Sequence, residues 1–191
     1  MVFAAGFGTR MQPLTNHTPK PLIQIGKTCL LDHTLDLAKQ AGLTKCVVNA
    51  HYLAEQIKDH LAGTTAHVVV EDEILDTGGG LKNAAPLLDG DMVITSNSDN
   101  IWNGENPFSK LLCASQVIGE TALLVAHKDN VTGRSGPGDF ELHDDGTLTR
   151  HGDYVFLGIQ QIALHHVLAE HQSVFSMNVV WDKLIEQGKL F

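Results

Sequence analysis

Over the first 96 residues one pattern repeats: a short apolar run, a turn of glycine or polar residues, then an amphipathic stretch of helical period. Residues 1–5, 45–49, 67–71 and 92–96 read as buried strands, and 29–41, 52–61 and 81–88 as helices. The first helix has its apolar face at Leu30, Leu31, Leu35, Leu37 and Ala38 and stops at Gly42. Strands linked through helices pair in parallel, because a parallel pair needs a crossover far longer than a hairpin turn. This order predicts an α/β fold, a mostly parallel sheet with helices on both faces, whose ligands sit at the carboxyl ends of the strands.

The pattern changes after residue 100. A helix over 107–117 and a strand over 121–127 are followed by the Gly/Pro-rich stretch 132–138 and by short strands at 140–142, 148–150 and 154–162. With 191 residues, 43% of them hydrophobic, the chain can bury one sizeable core, and nothing requires a second independent domain.

Three polar features each follow a predicted strand and so fall along one edge of the sheet. Residues 4–20 hold Gly6 and Gly8, then Arg10, then Lys20 between Pro19 and Pro21. Glycines let backbone N–H groups approach phosphate oxygens, Arg10 adds a charged fork, and the flanking prolines restrict the Lys20 backbone. Without further context such a Gly-x-Gly turn is as compatible with ordinary solvated surface as with phosphate binding. The run Thr77-Gly78-Gly79-Gly80 suits backbone that touches a flat ligand, or a flexible loop before a helix. Asp99 ends an apolar strand, where a carboxylate can hold Mg²⁺ or cap a turn.

Thirteen basic against 22 acidic residues give a net charge of −9, which disfavours nonspecific nucleic-acid and anionic-membrane binding. No segment approaches the ~20 apolar residues of a membrane span. The apolar start is too short for a signal peptide, so a cytoplasmic location is expected. It also begins at residue 1 itself, which suggests a residue or two ahead of Met1. Cys29, Cys46 and Cys113 are widely spaced and odd in number, as expected of buried reduced thiols. Of eleven histidines only His165 and His166 are adjacent, and neighbours on one element are expected to face apart, which disfavours a histidine metal site.

The string from Gly6 to Leu22 resembles the signature of the sugar-1-phosphate nucleotidyltransferases, Gly-x-Gly-Thr-Arg-Met-x-Pro-Leu-Thr followed by Pro-Lys-Pro-Leu. Asp76 to Gly80 resembles the branch with N-acetylmuramate-1-phosphate uridylyltransferases and mannose-1-phosphate guanylyltransferase relatives. The resemblance implies a Rossmann-like three-layer α/β/α nucleotidyltransferase fold with a mostly parallel mixed central sheet. It assigns residues 1–103 to a nucleotide-binding half and 104–191 to a sugar-phosphate half.

It further implies nucleotide contacts at Ala5, Gly6, Gly8, Thr9, Arg10, Lys20, Gly79 and Gly80, with Arg10 and Lys20 catalytic. Mg²⁺ would sit on Asp99, and sugar contacts would come from Asn97, Asp139, Gly158 and Asn178. NTP and a sugar 1-phosphate are the implied partners, with UTP and N-acetylmuramate 1-phosphate favoured over GTP and mannose 1-phosphate. A non-catalytic nucleotide-sensing module is the contrasting class, and a cytidylyltransferase for a cationic headgroup is disfavoured by 6% aromatic content. Three departures stand out. Asn97-Ser98-Asp99 replaces Asn-Gly-Asp, the connection 150–153 is lean, and the Trp-x-Asp-x-Gly segment expected to carry a second metal carboxylate would lie beyond Phe191.

Overall fold

The computed structural model describes residues 1–191, the side chain of Val117 excepted. The first half contributes β1 (Val2–Phe3), the hairpin β2 (Gln24–Ile25) and β3 (Thr28–Cys29), and α1 (Leu30–Gln40). It continues with β4 (Cys46–Ala50), α2 (Ala54–Leu61), β5 (Ala66–Val70), α3 (Asp76–Ala84) and β6 (Met92–Asn97). The second half supplies α4 (Pro107–Ile118), β7 (Ala122–His127), β8 (Phe140–Leu142), β9 (Leu148–Arg150) and β10 (Tyr154–Ala163). Two helices close it, α5 (Leu164–Leu168) and α6 (Met177–Glu186).

One eight-stranded sheet runs β5-β4-β1-β6-β10-β8-β9, with β7 also paired to β10. The β5-β4-β1-β6 block is parallel. β10 pairs antiparallel with β6, β7 and β8, and β9 pairs antiparallel with β8, so only β9 and β10 run against the rest. The sheet is therefore mixed and mostly parallel. Successive strand residues point to opposite faces. Val48 packs with Val2, Leu31, Ile57 and Leu61 under α1 and α2, while Val47 joins Leu81, Val180 and Leu184 under α3 and α6. Ala38, Phe108, Leu111 and Ile159 extend the first face beneath α4. These clusters make the three layers.

β1 occupies only two of the five residues expected of it. Ala4 N–H leaves the strand ladder and donates to Asn49 Oδ1 at 2.8 Å, which turns the chain out of the sheet. The lean connection at 150–153 is a closed turn: His151 takes φ 67°, and its N–H donates to Asp139 O at 3.2 Å. A Cβ on Gly152 would stand 2.4 Å from the Phe140 carbonyl. Cys29 is buried, but Cys46 is half-buried and Cys113 exposed, which corrects the expectation of three buried thiols. His165 and His166 do not face apart, since their ring centroids lie 4.0 Å from each other.

The largest correction is in α3, which starts at Asp76 rather than at residue 81 and carries the three glycines inside it. Gly78 and Gly79 N–H donate to Phe175 O at 2.9 and 3.0 Å, satisfying donors that a helix start otherwise leaves open. A Cβ on Gly78 would meet the Phe175 ring at 2.3 Å, and one on Gly79 the Ser173 carbonyl at 2.1 Å. The glycines let α3 close against the segment before α6. Alanine normally gains about 1 kcal/mol over glycine inside a helix. Here the overlap reverses the sign, and Gly79→Ala should lose at least about 2 kcal/mol in urea unfolding, within the range of overpacked cores.

Candidate active site

From β1 the chain moves outward through β4 and β5, then returns to place β6 on the other side of β1. That reversal leaves a crevice at the carboxyl ends of β1, β4 and β6. Phe3 pairs with Asn49 on one neighbour and Asn97 on the other, so both asparagines flank the point where the chain leaves β1. The cleft there encloses about 620 Å³ and is lined by residues 3–11, Lys20 and Pro21, with Asn49, Glu71, Asp76, Thr77 and 97–99 opposite. That volume suits a small-molecule ligand.

The glycine turn is tied down on several sides. Gly8 has φ 65°, and a Cβ there would meet Thr15 Cγ2 at 2.9 Å and Lys20 Cβ at 3.1 Å. Thr15 Oγ1 donates to Gly8 O at 2.9 Å, and Tyr52 Oη in turn donates to Thr15 O at 2.9 Å. The Phe7 ring meets His51 and Tyr52 edge-on, at centroid distances of 5.6 and 5.8 Å. Ala5, Gly6, Gly8, Thr9 and Arg10 consequently all line the cleft, with Gly6, Thr9 and Arg10 exposed. Lys20 reaches across the crevice to form an ion pair with Asp99. Ser98 sits outside the left-handed region, and its hydroxyl donates to Phe3 O at 2.8 Å. Serine at that position therefore fixes the β6 end to β1 and leaves Asp99 facing the cleft.

Beneath this surface lies a hydrogen-bonded pair that sequence reasoning missed. Asn49 Nδ2 donates to Glu71 Oε1 at 2.7 Å, and Leu75 N–H donates to Glu71 Oε2 at 3.2 Å. Asn49 and Glu71 are both 3% exposed. Gly80 makes room for them, because its Cβ would stand 2.8 Å from Glu71 Oε1 and 2.9 Å from Asn49 Nδ2. Asp76, at φ 60°, and Thr77 form the cleft wall beside this pair. Each of Asn49 and Glu71 is a polar residue closing an apolar strand, the same signal that singled out Asp99.

Five expected contacts stand outside the cleft lining. Gly79 and Gly80 do not line the cleft; their missing side chains accommodate Ser173 and the Asn49–Glu71 pair. Asp139 bonds Arg134 at 2.6 Å and the Phe156 N–H at 2.9 Å. Asn178 accepts from Arg150 at 3.0 Å. Gly158, at φ 76°, lies behind the cleft, where a Cβ would touch Asn97 Nδ2 at 2.9 Å, so it supports Asn97, which does line the cleft.

Residues 1–135 match the Nucleotidyl transferase family. The chain belongs to that family. It is 34% identical over 208 aligned residues to the N-acetylmuramate alpha-1-phosphate uridylyltransferase of Caulobacter vibrioides, covering 100% of this chain and 85% of that protein. The Neisseria meningitidis protein of the same name is 40% identical over 52% of this chain and 46% of its own length. The mannose-1-phosphate guanyltransferase of Debaryomyces hansenii is 33% identical over 67% of this chain and 37% of its own length. A putative glucose-1-phosphate thymidylyltransferase from Bacillus anthracis, solved with a sucrose, superposes with TM-score 0.82 at 16% identity, over 99% of this chain and 83% of that one. HddC from Yersinia pseudotuberculosis, complexed with GMP-PN, gives 0.73 at 17% identity over 92% and 81%. These two show a shared nucleotidyltransferase fold, and the relatives place the chain among the sugar-1-phosphate nucleotidyltransferases.

The charged groups lining this nucleotidyltransferase cleft are Arg10 and Lys20 against Glu71, Asp76 and Asp99, two cations to three carboxylates. Asn49→Ala would leave Ala4 N–H and Glu71 Oε1 unpaired in a buried place. Removing one partner of a buried bond costs about 1–3 kcal/mol, so this variant should unfold at least about 2 kcal/mol more easily. Lys20→Met breaks only a half-exposed ion pair, worth about 0–1 kcal/mol, and should leave the same unfolding curve almost unmoved.

Proposed function

We propose that the protein transfers a nucleotidyl group from an NTP to a sugar 1-phosphate, releasing pyrophosphate, with UTP and N-acetylmuramate 1-phosphate as its substrates. The observation that carries this reading is the convergence of Gly6–Arg10, Lys20 and Asp99 on one cleft. The substrate pair is supported by the similarity to the Caulobacter vibrioides uridylyltransferase along the whole chain. GTP with mannose 1-phosphate is the second reading, favoured by the fungal guanyltransferases.

In the reaction a phosphate oxygen of the sugar 1-phosphate attacks the α-phosphorus of the NTP in line, and pyrophosphate leaves. No general base is needed, because the attacking oxygen is already ionised, and catalysis reduces to positioning and charge neutralisation. The exposed N–H groups of the Gly6–Arg10 turn face the triphosphate, and Arg10 stabilises the pyrophosphate that departs. Lys20 leaves Asp99 for the α-phosphate and the sugar phosphate. Asp76 and Thr77, which line the cleft at the mouth of α3, would lie beside the base.

The donor set fits Mg²⁺. The described residues lining the cleft offer carboxylate, amide and hydroxyl oxygens and no thiol or imidazole, and a hard cation prefers oxygen. Asp99 would hold the ion, which supplies charge neutralisation on the phosphates that two cations against three carboxylates do not provide. The cytoplasm is the proposed compartment; no helix among the described residues is long and apolar enough to cross a membrane.

A matrix of UTP, GTP, CTP and dTTP against N-acetylmuramate, mannose, glucose and N-acetylglucosamine 1-phosphates, read by pyrophosphate release with and without Mg²⁺, tests the reading. UTP with N-acetylmuramate 1-phosphate should give the highest kcat/KM. Nucleotide binding without pyrophosphate in any combination would leave a sensing module instead. Arg10→Ala should lower kcat/KM by about 2 kcal/mol of transition-state stabilisation with unchanged melting. Wild-type turnover in that variant would remove Arg10 from the chemistry.

A further inference from the structure

Apart from the cleft, three side chains of different donor chemistry meet at one point. Cys29 ends β3 and caps α1, Asp32 lies in the first turn of α1, and His60 lies in the last turn of α2. His60 Nε2 stands 3.6 Å from Cys29 Sγ and 2.7 Å from Asp32 Oδ1. One ligand atom from each residue falls within 4.8 Å of the other two. None of the three lines the nucleotidyltransferase cleft. We propose that Cys29, Asp32 and His60 form a binding site for a borderline-soft divalent cation of the zinc class, with water completing the tetrahedron.

The distances argue for it. With Zn–S near 2.3 Å and Zn–N near 2.05 Å, the sulfur-to-nitrogen edge of a tetrahedral site is about 3.5 Å. The observed 3.6 Å already has that length. The corresponding nitrogen-to-oxygen edge is about 3.3 Å, so the 2.7 Å hydrogen bond between His60 and Asp32 must open by roughly half an ångström. Both of those side chains are about one-third exposed, at 30% and 37%, and can move. The same exposure leaves one direction for solvent. Cys29 itself is fully buried, and its sulfur accepts from Asp32 N–H at 3.4 Å, which aims it at the start of α1. The positive end of that helix favours a thiolate.

Charge and protons balance simply. Burial pushes the free Cys29 thiol up, so without a metal it carries its proton at neutral pH. On binding, the S–H bond breaks, the sulfur lone pair enters the metal bond and the proton goes to solvent. His60 gives up the Nε2 proton that bonds Asp32 to solvent while Nδ1 takes one up, so the neutral ring offers its Nε2 lone pair with its proton on Nδ1, and Asp32, released from that bond, contributes Oδ1. Magnesium is excluded here by the thiolate and imidazole donors, as zinc is disfavoured in the oxygen-lined cleft. The bound ion would clamp the start of α1 to the end of α2.

Cobalt(II) is a direct probe, because only a cysteine ligand gives a thiolate-to-cobalt charge-transfer band, and cobalt held by Asp99 would not. The full chain titrated with Co²⁺ should develop that band, saturating at one equivalent and bleached by Zn²⁺. Cys29→Ser should abolish it, whereas the double variant Cys46→Ser/Cys113→Ser should keep it. His60→Gln, at a half-exposed position, should weaken Co²⁺ binding by at least about tenfold, the loss already seen when mere supporting groups of a metal site are removed. Absence of the band in the wild type, its survival in Cys29→Ser, its loss in the double variant, or unchanged affinity in His60→Gln would each overturn the site. Failure of these tests leaves the cleft chemistry untouched, since no cleft residue is altered.

Discussion

Asn49 holds together three elements whose carboxyl ends must meet for the cleft to exist. Its Oδ1 receives the Ala4 N–H that would otherwise continue β1, and its Nδ2 binds a carboxylate oxygen of Glu71. The second carboxylate oxygen takes the N–H of Leu75, at the start of α3. A single buried amide thus sets where β1 ends, how the glycine turn departs and where α3 begins. Neither an apolar side chain nor a carboxylate could replace it, because one partner is a donor and the other an acceptor. The same demand explains Gly80, whose side chain would occupy the space of that pair.

The second half of the chain completes the site mainly through backbone, with Val174 its one residue among the described residues lining the cleft. Phe175 O receives the first N–H groups of α3, and Met177 N–H donates to Thr77 Oγ1 at 3.0 Å. These bonds hold Asp76 and Thr77 against the cleft although α6 itself lies in the layer behind. Behind Asn97, Gly158 on β10 does the equivalent for β6. The residues with polar handles in this half, Asp139 and Asn178, are spent on Arg134 and Arg150. They stabilise the antiparallel part of the sheet and the seating of α6 upon it.

Legibility in the sequence followed the range of the interaction. Most strands and helices could be read to within a few residues because burial periodicity is local, although the β2–β3 hairpin and α5 were not. Gly8 and Arg10 stood out in the glycine turn after the first strand, Lys20 by its flanking prolines, and Asp99 as a carboxylate past the end of β6. The triple glycine could not be read: a glycine reveals that something approaches the backbone without saying whether it is a ligand, Phe175 or Glu71. Asn49 and Glu71 stand 22 positions apart, and Cys29 and His60 stand 31 apart. Only pairing of β4 with β5, or packing of α2 against α1, brings such partners together. The bond of Asp139 to Arg134 was illegible for a related reason, since Arg134 lies in a Gly/Pro-rich loop that carries no periodic signal.

The ion pair of Lys20 with Asp99 joins the two residues to which the proposed reaction gives opposite partners, a phosphate and a metal ion. Each satisfies the other, which keeps a lysine and a carboxylate from standing uncompensated in a half-enclosed cleft. With side chains 24% and 30% exposed, the pair belongs to the weakly stabilising class of about 0–1 kcal/mol. A bond from the same lysine to a phosphate would be of the same charge-assisted kind, so in the proposed reaction exchange of partners costs little. Were the pair fully buried, breaking it would leave an uncompensated charge at a cost of about 3–5 kcal/mol, comparable to the binding energy available. In the proposed reaction, partial exposure is what would allow this one contact both to order the cleft and to yield to substrate.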